Sequence, residues 1–479
     1  MTTGAEAQGR LSIAEYYAQP RVRARIVEYC GGADGTPPTA AYVAALSRKG
    51  GTGPFWPSWE DVPRVPASQI DTLWAASADL ARSLWDTEQL IFMIELDYQN
   101  TDAPAEPFRH PADVFCKLEP AYQAALSVFQ QLQLDVPAVA TGRGYHFTGA
   151  IPLADPLVDR LAAMVPHTPD WYAGIDARRP KGVTAAMSER QARAATGLGC
   201  LIEFAAHLIL DRAADSAIPV MFNGTPVGLR SAVGRESVSI DFSHVGDPLD
   251  VRHVRVPFST YQWHRLRPDI FGQQTATMIP PIAVVPRGRH SLLTPLMQGR
   301  DLGAASRAAA RARPVLPNVA RGVEHLLARY RASSLGRLHE RLDADMRADG
   351  AAHPPLERAL PPCMTAALTR PNDLLLKPEH LQHLVRGLMS HGWRPAAIAR
   401  RVQSAYAADH SWGDRWTTHM DTTTRATFET RVFSGMIGAG RDPLVDFNCV
   451  SAQEKGLCPR VPCTHDLRRD RERLAAPLT

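Results

Sequence analysis

The chain has 479 residues, of which 45% are hydrophobic and 21% are charged, and its formal net charge at pH 7 is +4. These values indicate a globular protein of two or three domains, and the modest charge does not by itself indicate a nucleic-acid partner. No apolar run approaches the length of a bilayer span, and the N-terminus lacks a basic region followed by an apolar one, so we expect a soluble, cytoplasmic protein without a membrane partner.

The predicted elements begin with a region that mixes short strands and helices. Residues 90–94 and 237–240 are β-rich runs that lead into acidic residues, and residues 191–210 have the apolar spacing of a helix. This mixed pattern continues to about residue 290. It predicts a first domain over residues 1–290 that contains both helices and strands.

The composition then changes to Arg, Ala and Leu. Over residues 291–350 we expect a linker with one or two helices, the clearest of them over 319–347, although a solvated helical face is the commoner outcome for such charge runs. From about residue 354 the pattern is mainly helical, with loops around a group of cysteines. The sequence thus predicts a last domain over residues 351–479.

The first motif that indicates chemistry follows the strand 90–94. Glu95 and Asp97 are two residues apart, so on a strand they point to the same face. Two carboxylates on one face can hold hard divalent cations such as Mg²⁺, and paired cations suit phosphoryl transfer. The alternative is an edge strand with exposed acids, which a single motif of this kind does not exclude.

The second motif is a glycine-rich stretch over residues 141–147. Glycines let a backbone approach a phosphate closely, and Arg143 and His146 can donate hydrogen bonds to its oxygens. The alternative is an ordinary glycine-rich turn with a structural histidine.

The third motif follows the strand 237–240. Asp241 would add a third carboxylate to the cation site, and His253, Arg255 and Ser259 follow it in a short stretch that would line phosphates or a template. The alternative is an ordinary pair of strands.

Four cysteines in the last third of the chain form the fourth motif. A distant single cysteine with a close trio is a poor disulfide framework for a chain with no secretion signal, and a good set of thiolate ligands for one metal centre. Ligand count alone does not separate an iron–sulfur cluster from zinc. We expect Cys30, Cys116 and Cys200 to be buried small hydrophobes. The proposed ligands are Cys363, Cys449, Cys458 and Cys463.

The order of the motifs resembles a known family. An acidic pair, a glycine-rich loop ending in histidine, a lone aspartate and an Arg-x-Pro-x-Ser sequence resemble the archaeo-eukaryotic primase superfamily, and residues 15–17 and 25–29 resemble the helical start of that fold. The cysteines and their flanking residues resemble the iron–sulfur domain of the primase large subunit. The resemblance implies an α+β primase-type catalytic domain followed by a mainly α-helical iron–sulfur domain.

The resemblance also implies roles for single residues. Three carboxylates would bind Mg²⁺ or Mn²⁺, although Glu95 stands where aspartate is usual, and either Arg252 or His253 fills the histidine position of the third motif. The four cysteines would hold a [4Fe–4S] cluster, with zinc as the alternative, and His383 or Arg386 would contact the substrate. The implied catalytic residues are Glu95, Asp97 and Asp241, and the implied nucleotide-binding residues are Arg143, His146, His253, Arg255 and Ser259.

The activity implied is that of a DNA primase, a DNA-directed nucleotidyltransferase that makes short primers on single-stranded DNA from NTPs, dNTPs or both. Two alternatives remain: a primer-dependent repair or translesion polymerase, and a non-catalytic nucleic-acid-binding protein of a mobile element or defence system. Partner proteins of replication or defence are possible. We also expect a chain that ends near Gly350 to keep primer extension and to lose most initiation.

Overall fold

The structure of the protein is a computed structural model that describes most of the chain. The chain has an α+β fold with two sheets and many helices, which confirms the coarse fold prediction. The described residues are 11–33, 36–46, 62–177, 179–223, 236–246, 253–286, 297, 300–348, 360–369, 378–407 and 422–475.

Strands of the described residues form one sheet of six and one of four. The strands are β1 (Tyr42–Ala44), β2 (Arg64–Pro66), β3 (Ala81–Arg82), β4 (Gln89–Asn100), β5 (Ala138–Ala140), β6 (Gly144–Pro152), β7 (Val220–Phe222), β8 (Glu236–Asp241), β9 (Val254–Arg255) and β10 (Ala283–Val284). The large sheet has the order β10-β5-β6-β4-β8-β7, with only β7 and β8 parallel among these strands, and the small sheet has the order β2-β1-β3-β9. The predicted strands 90–94 and 237–240 are confirmed as parts of β4 and β8.

Strand β4 separates two hydrophobic clusters. Phe92 and Ile94 belong to a large cluster, whereas Ile91 and Met93 belong to a cluster that also contains Val254 of the small sheet. Because side chains alternate along a strand, the even-numbered residues face one layer and the odd-numbered residues the other. The odd-numbered face of β4, which carries the acidic pair, therefore looks toward the small sheet.

Helices of the described residues pack mainly on the other face of the large sheet. The predicted helix over 191–210 is confirmed within α8, where the Ser188 side chain accepts a hydrogen bond from the backbone of Gln191 and begins the helix. The helices of the first two thirds are α1 (Ile13–Tyr17), α2 (Pro20–Tyr29), α3 (Asp71–Ala75), α4 (Glu106–Arg109), α5 (Pro111–Leu132), α6 (Leu157–Ala162), α7 (Asp170–Ala173), α8 (Glu189–Arg212), α9 (Pro268–Phe271), α10 (Gln273–Ala276), α11 (Leu302–Ala309), α12 (Ala320–Ala332) and α13 (Ser334–Arg347).

Among the described helices, α8 is the one long and apolar enough to cross a membrane by length and composition alone. Of its most apolar window, 67% is buried inside the fold, and core helices of water-soluble proteins pass the same test. This helix is therefore weak support for a membrane span.

The Arg-rich segment 291–350 is built into the core. Val323 and Leu326 of α12 are fully buried in the large cluster, and Ala150 of β6 exchanges backbone hydrogen bonds of 2.9 Å with Pro317 and Val319. The expected single helix over 319–347 is two helices, because Ser333 is extended and its side chain caps α13. The described part of the segment is therefore packed structure, in contrast to the linker that we expected.

The last third is mainly helical in its described residues, as predicted. Its buried residues, such as Leu384 and Phe433, belong to the same large hydrophobic cluster as Phe92 of the central strand. The chain thus has a hydrophobic core that is continuous between its first and last thirds. The helices are α14 (Pro362–Thr369), α15 (Pro378–Ser390), α16 (Pro395–Ala407), α17 (Thr422–Gly438), α18 (Cys449–Glu454) and α19 (Leu467–Ala475).

Helix α17 joins the last third to the large sheet and α8. The Arg431 Nε atom donates to Glu203 of α8 at 2.9 Å, and the Phe428 ring packs edge-on against Phe242, with 6.3 Å between ring centroids. A chain that ended near Gly350 would expose this interface and leave the buried Glu203 carboxylate without Arg431. The expected truncation result stays a prediction, and the truncated chain would have to fold without this interface.

Candidate active site and cysteine cluster

The hydrogen-bond register of the large sheet brings the sequence-predicted residues side by side. Glu95 of β4 is directly opposite Asp241 of β8 on one side and directly opposite His146 of β6 on the other. Directly opposite residues in antiparallel strands point to the same face, and Asp97 shares that face because it is two residues further along. Three carboxylates and one histidine therefore line a single patch of the sheet.

This carboxylate patch is buried. Glu95, Asp97 and Asp241 are 4%, 5% and 3% exposed. Buried carboxylates need a positive or hydrogen-bonding partner, since desolvation of a charge is costly. The Arg143 Nη2 atom lies 2.7 Å from Asp97 Oδ2, and the His146 Nε2 atom lies 3.6 Å from Glu95 Oε1.

The carboxylate of Asp241 is oriented by the chain that follows it. Its Oδ1 atom accepts hydrogen bonds from the backbone and side chain of Ser243, at 2.9 and 2.8 Å. These contacts use Oδ1 and fix the direction of the carboxylate at the end of β8. Such orientation is what a cation ligand requires from its surroundings.

Arg143 stands on the turn between β5 and β6, as the glycine-rich motif predicts. Burial would lower the pKa of Arg143, but the neighbouring Asp97 outweighs it and raises the pKa above its usual range. A Cβ atom at Gly142 would come within 2.6 Å of the Tyr261 ring, so glycine lets this ring pack against the turn. The turn therefore presents a permanent positive charge beside the carboxylates.

Two further arginines lie around Tyr261. The Arg255 guanidinium carbon is 4.2 Å from the Tyr261 ring centroid, and its Nη1 atom is 3.2 Å from Asp79. The Arg300 Nη2 atom is 3.3 Å from the backbone oxygen of Gly142. Arginine forks match phosphate geometry, so a group of arginines beside carboxylates suits a nucleoside triphosphate and its cations.

Arg300 is a residue that sequence reasoning missed. Burial lowers its pKa to about 10, and no carboxylate among the described residues forms an ion pair with it. Its other hydrogen bond is to the backbone oxygen of Pro107, also at 3.3 Å. The segment around Arg300 carries no motif, so only the tertiary structure places it at the site.

Two residues of the third motif have positions that differ from the expectation. Ser259 is fully buried, and its hydroxyl accepts a hydrogen bond from the backbone of Leu80 at 2.6 Å and lies 3.2 Å from the Tyr17 hydroxyl. Ser259 therefore connects α1 to the small sheet and does not line a phosphate site.

His253 also differs from the expectation. It is buried, with its ring 5.6 Å from the Tyr42 ring, and burial together with Arg64 and Arg255 keeps its pKa well below the usual range. The ring packs against the small sheet, and only a small part of its surface is open to a phosphate. Arg252, the alternative for the third-motif histidine, lies outside the described residues.

Three other cysteines of the last third lie close enough to Cys363 to act on it electrostatically. Burial, and then the nearby Cys458, Cys449 and Cys463, raise the pKa of Cys363 to about 12. Cys363 is far from the trio in sequence, so this proximity comes from the packing of the helices. Of the remaining cysteines, Cys30 is fully buried as expected, whereas Cys200 is partly exposed and Cys116 is exposed, in contrast to the expectation that all three are buried small hydrophobes.

Both groups offer suitable donors for the implied metals. Carboxylate oxygens suit Mg²⁺ and Mn²⁺, and four thiolates suit a [4Fe–4S] cluster or zinc. Among the side chains that the structure describes, no three His, Cys, Asp or Glu residues converge on one point with the geometry of a bound ion.

Arg386 and His383, the two possible substrate contacts of α15, are both buried. The Arg386 guanidinium pairs with Asp442 at 2.6 and 2.8 Å and with Asp446 at 3.0 Å. His383 contacts Cys363. These contacts occupy the side chains within the domain, so neither residue is presented to a substrate.

Comparison with known proteins adds no relative. No protein-family model, no curated protein and no solved structure matches the chain.

Proposed function

We propose that the chain is a DNA primase or primase-polymerase that makes short primers on single-stranded DNA by metal-dependent nucleotidyl transfer. The observation that supports this most is the register of the large sheet, in which Glu95 is directly opposite both Asp241 and His146. Three segments that are distant in sequence supply one carboxylate patch, with the Arg143 charge at its edge.

The chain's own residues would divide the work as follows. Glu95, Asp97 and Asp241 would hold two Mg²⁺ or Mn²⁺ ions, which when bound supply a lowered pKa at the attacking 3′-hydroxyl and charge stabilisation at the α-phosphate. Arg143 would leave its ion pair with Asp97 or share it, and would donate to the triphosphate. His146 would orient Glu95 or a phosphate oxygen.

The arginines around Tyr261 would hold the remaining charge of the nucleotide. Arg255 is stacked on this ring, and Arg300 donates only to backbone oxygens among the described residues. Placing NTP or dNTP phosphates here would give Arg300 an anionic partner, which the described residues do not supply. Positioning of this kind contributes to the rate by fixing the reacting groups in line.

The cysteine group would hold a [4Fe–4S] cluster, with zinc as the alternative. It would stabilise the loops that carry Cys449, Cys458 and Cys463, and so present the last third of the chain to a template or to the first nucleotide. A cytoplasmic location and partner proteins of replication or defence systems belong to the same proposal.

The test uses the full-length protein on unprimed, circular single-stranded DNA with NTPs or dNTPs and with Mg²⁺ or Mn²⁺. We expect short products that begin de novo and that disappear when EDTA is added. Extension of a supplied primer without de novo products would favour a primer-dependent repair or translesion polymerase. DNA binding without any nucleotide incorporation would favour a non-catalytic nucleic-acid-binding protein.

A further inference from the structure

A histidine lies against one of the four cysteines. The His383 Nε2 atom of α15 is 3.3 Å from the Cys363 Sγ atom near the beginning of α14, and both residues are buried. No sequence motif predicted this contact, and the carboxylate patch does not use it. A buried hydrogen bond to a candidate metal ligand is a common way to orient that ligand.

The close packing of two helices makes this contact possible. A Cβ atom at position 387 would lie 1.9 Å from Met364 Cε, so only glycine at this position lets α14 approach α15 so closely. Met364 is the residue after Cys363. The absence of a side chain at Gly387 therefore brings the Cys363 sulfur within reach of His383, one turn earlier on α15.

Ion pairs then fix α15 relative to the segment before Cys449. Arg386 pairs with Asp442 and Asp446, and the Phe447 ring packs edge-on against His383 with 5.5 Å between centroids. These three residues lead directly into Cys449. The imidazole is thus held between the segments that carry two of the four cysteines.

The direction of this hydrogen bond follows from the chemistry of the sulfur. A metal-bound thiolate can only accept a hydrogen bond. The proton of the ring would therefore reside on Nε2, facing the sulfur.

We propose that His383 is a positioning residue of the cysteine centre, whose Nε2–H donates to the Cys363 thiolate and so retains the metal and raises the reduction potential of an iron–sulfur cluster. This inference rests on the proposed metal centre. A hydrogen bond to a ligand sulfur removes electron density from it, and so stabilises the reduced, more negative cluster. The same contact holds the sulfur in the ligating orientation.

The experiment compares His383→Met, which has no donor, with His383→Gln, whose amide can still donate. We expect the Met variant to have a lower midpoint potential and to release iron to a chelator roughly 10–100-fold faster than the unmodified protein. The Gln variant should recover most of both properties. His391→Met removes an imidazole just beyond the end of the same helix, and should leave the potential unchanged.

Three results would overturn the inference in different ways. Equal potentials and equal rates of iron release for all variants would show that His383 only packs, while the proposed centre would remain. Zinc in place of iron would leave no reduction potential for His383 to raise, because Zn²⁺ has no redox chemistry. Anaerobically purified protein with no metal at the cysteines would refute the proposed centre itself, and with it this inference.

Discussion

The carboxylates and the cysteines are brought together by different means. Glu95, Asp241 and His146 stand on regular strands, so the hydrogen-bond register alone makes them neighbours. The cysteines stand at helix ends and in loops, and Cys363 meets the trio only because helices pack around it. A site on strands is therefore set by local pattern and pairing, whereas a site on helix ends depends on tertiary contacts that can be broken one at a time.

The largest expected effect is on stability, and it comes from the ion pair between Glu203 of α8 and Arg431 of the last third. Arg431→Met would leave the fully buried Glu203 carboxylate with His339, 3.3 Å away, as its remaining ion-pair partner among the described residues. Removing one member of a buried pair typically costs about 3–5 kcal/mol, so we expect the free energy of unfolding to fall by this amount in urea denaturation. If the first and last thirds of the chain unfolded independently, urea denaturation would show two transitions and the substitution would shift only one of them.

A double variant serves as the control. Glu203→Gln with Arg431→Met removes both charges of this pair, so neither is left buried without the other. Its loss of stability should therefore be smaller than the sum of the two single losses. Strict additivity would contradict a direct interaction between these side chains.

The next largest effect is expected at the carboxylate patch. Asp97→Asn removes one charged ligand, and we expect nucleotide incorporation to fall by roughly 10²–10³-fold while the fold is retained. Primer synthesis and thermal unfolding are measured together, because Asp97 also pairs with Arg143. Asp215→Asn, at an exposed position, is the matched control. Near-normal synthesis by the Asp97 variant would remove this residue from the site.

A smaller effect is expected on the pH dependence of stability, through Glu429 of the last third, which lies near Asp241. Burial raises the pKa of Glu429 from 4.5 to about 7, with Arg425 acting against the shift and Asp241 adding to it. A carboxyl group whose pKa is higher in the folded than in the unfolded state adds fully to the free energy of unfolding below pH 4.5, and this contribution is lost as the pH rises through 7. Glu429→Gln should therefore be more stable than the unmodified protein at pH 8, by at most about 3 kcal/mol.

The measurement is the free energy of unfolding from pH 4 to 8 in the presence of EDTA. The advantage of the Glu429 variant should shrink as the pH falls and should vanish below about pH 4.5, where the carboxyl is protonated in both states. Glu340→Gln, at an exposed position, should have the pH profile of the unmodified protein. A constant difference at every pH would mean that the substitution acts through packing alone.

The smallest effect is expected on synthesis when the cysteine group is damaged. Cys449→Ser should reduce the iron content and lower initiation by about ten-fold relative to extension, because initiation has to position two free nucleotides and a template at once. Dinucleotide formation and primer extension are compared at one salt concentration. Cys116→Ser, outside the group, should change neither. Equal losses in both assays would remove the specific link to initiation.

Strands and helices with a clear apolar pattern could be predicted from the sequence, whereas the contacts that these elements make with one another could not. The run 90–94 is continuously apolar and the run 237–240 alternates polar and apolar residues, so both strands, and the common face of Glu95 and Asp97, followed from pattern alone. The break at Ser333 was not predicted, since the apolar spacing of a helix continues on both sides of it.

Residues without a local signature could not be placed. Arg300 stands in an arginine-rich composition, where nothing separates a buried guanidinium from a solvated one. Glu429 has the appearance of an ordinary helical glutamate until Asp241 is found nearby. Ser259 matched a motif, yet in the fold its hydroxyl accepts a hydrogen bond from the Leu80 backbone and lies beside the Tyr17 hydroxyl.

The pairing of Glu203 with Arg431 has a consequence for synthesis on the ribosome. The two residues are 228 positions apart, so at roughly 5–20 residues per second Arg431 is made about 10–45 s after Glu203. Until His339 is made Glu203 has neither of its two ion-pair partners, and until α17 is made the large sheet lacks the cover that this helix provides. The apolar surface that α17 covers in the finished fold is therefore exposed in the nascent chain for many seconds, during which it favours aggregation or binding by a chaperone.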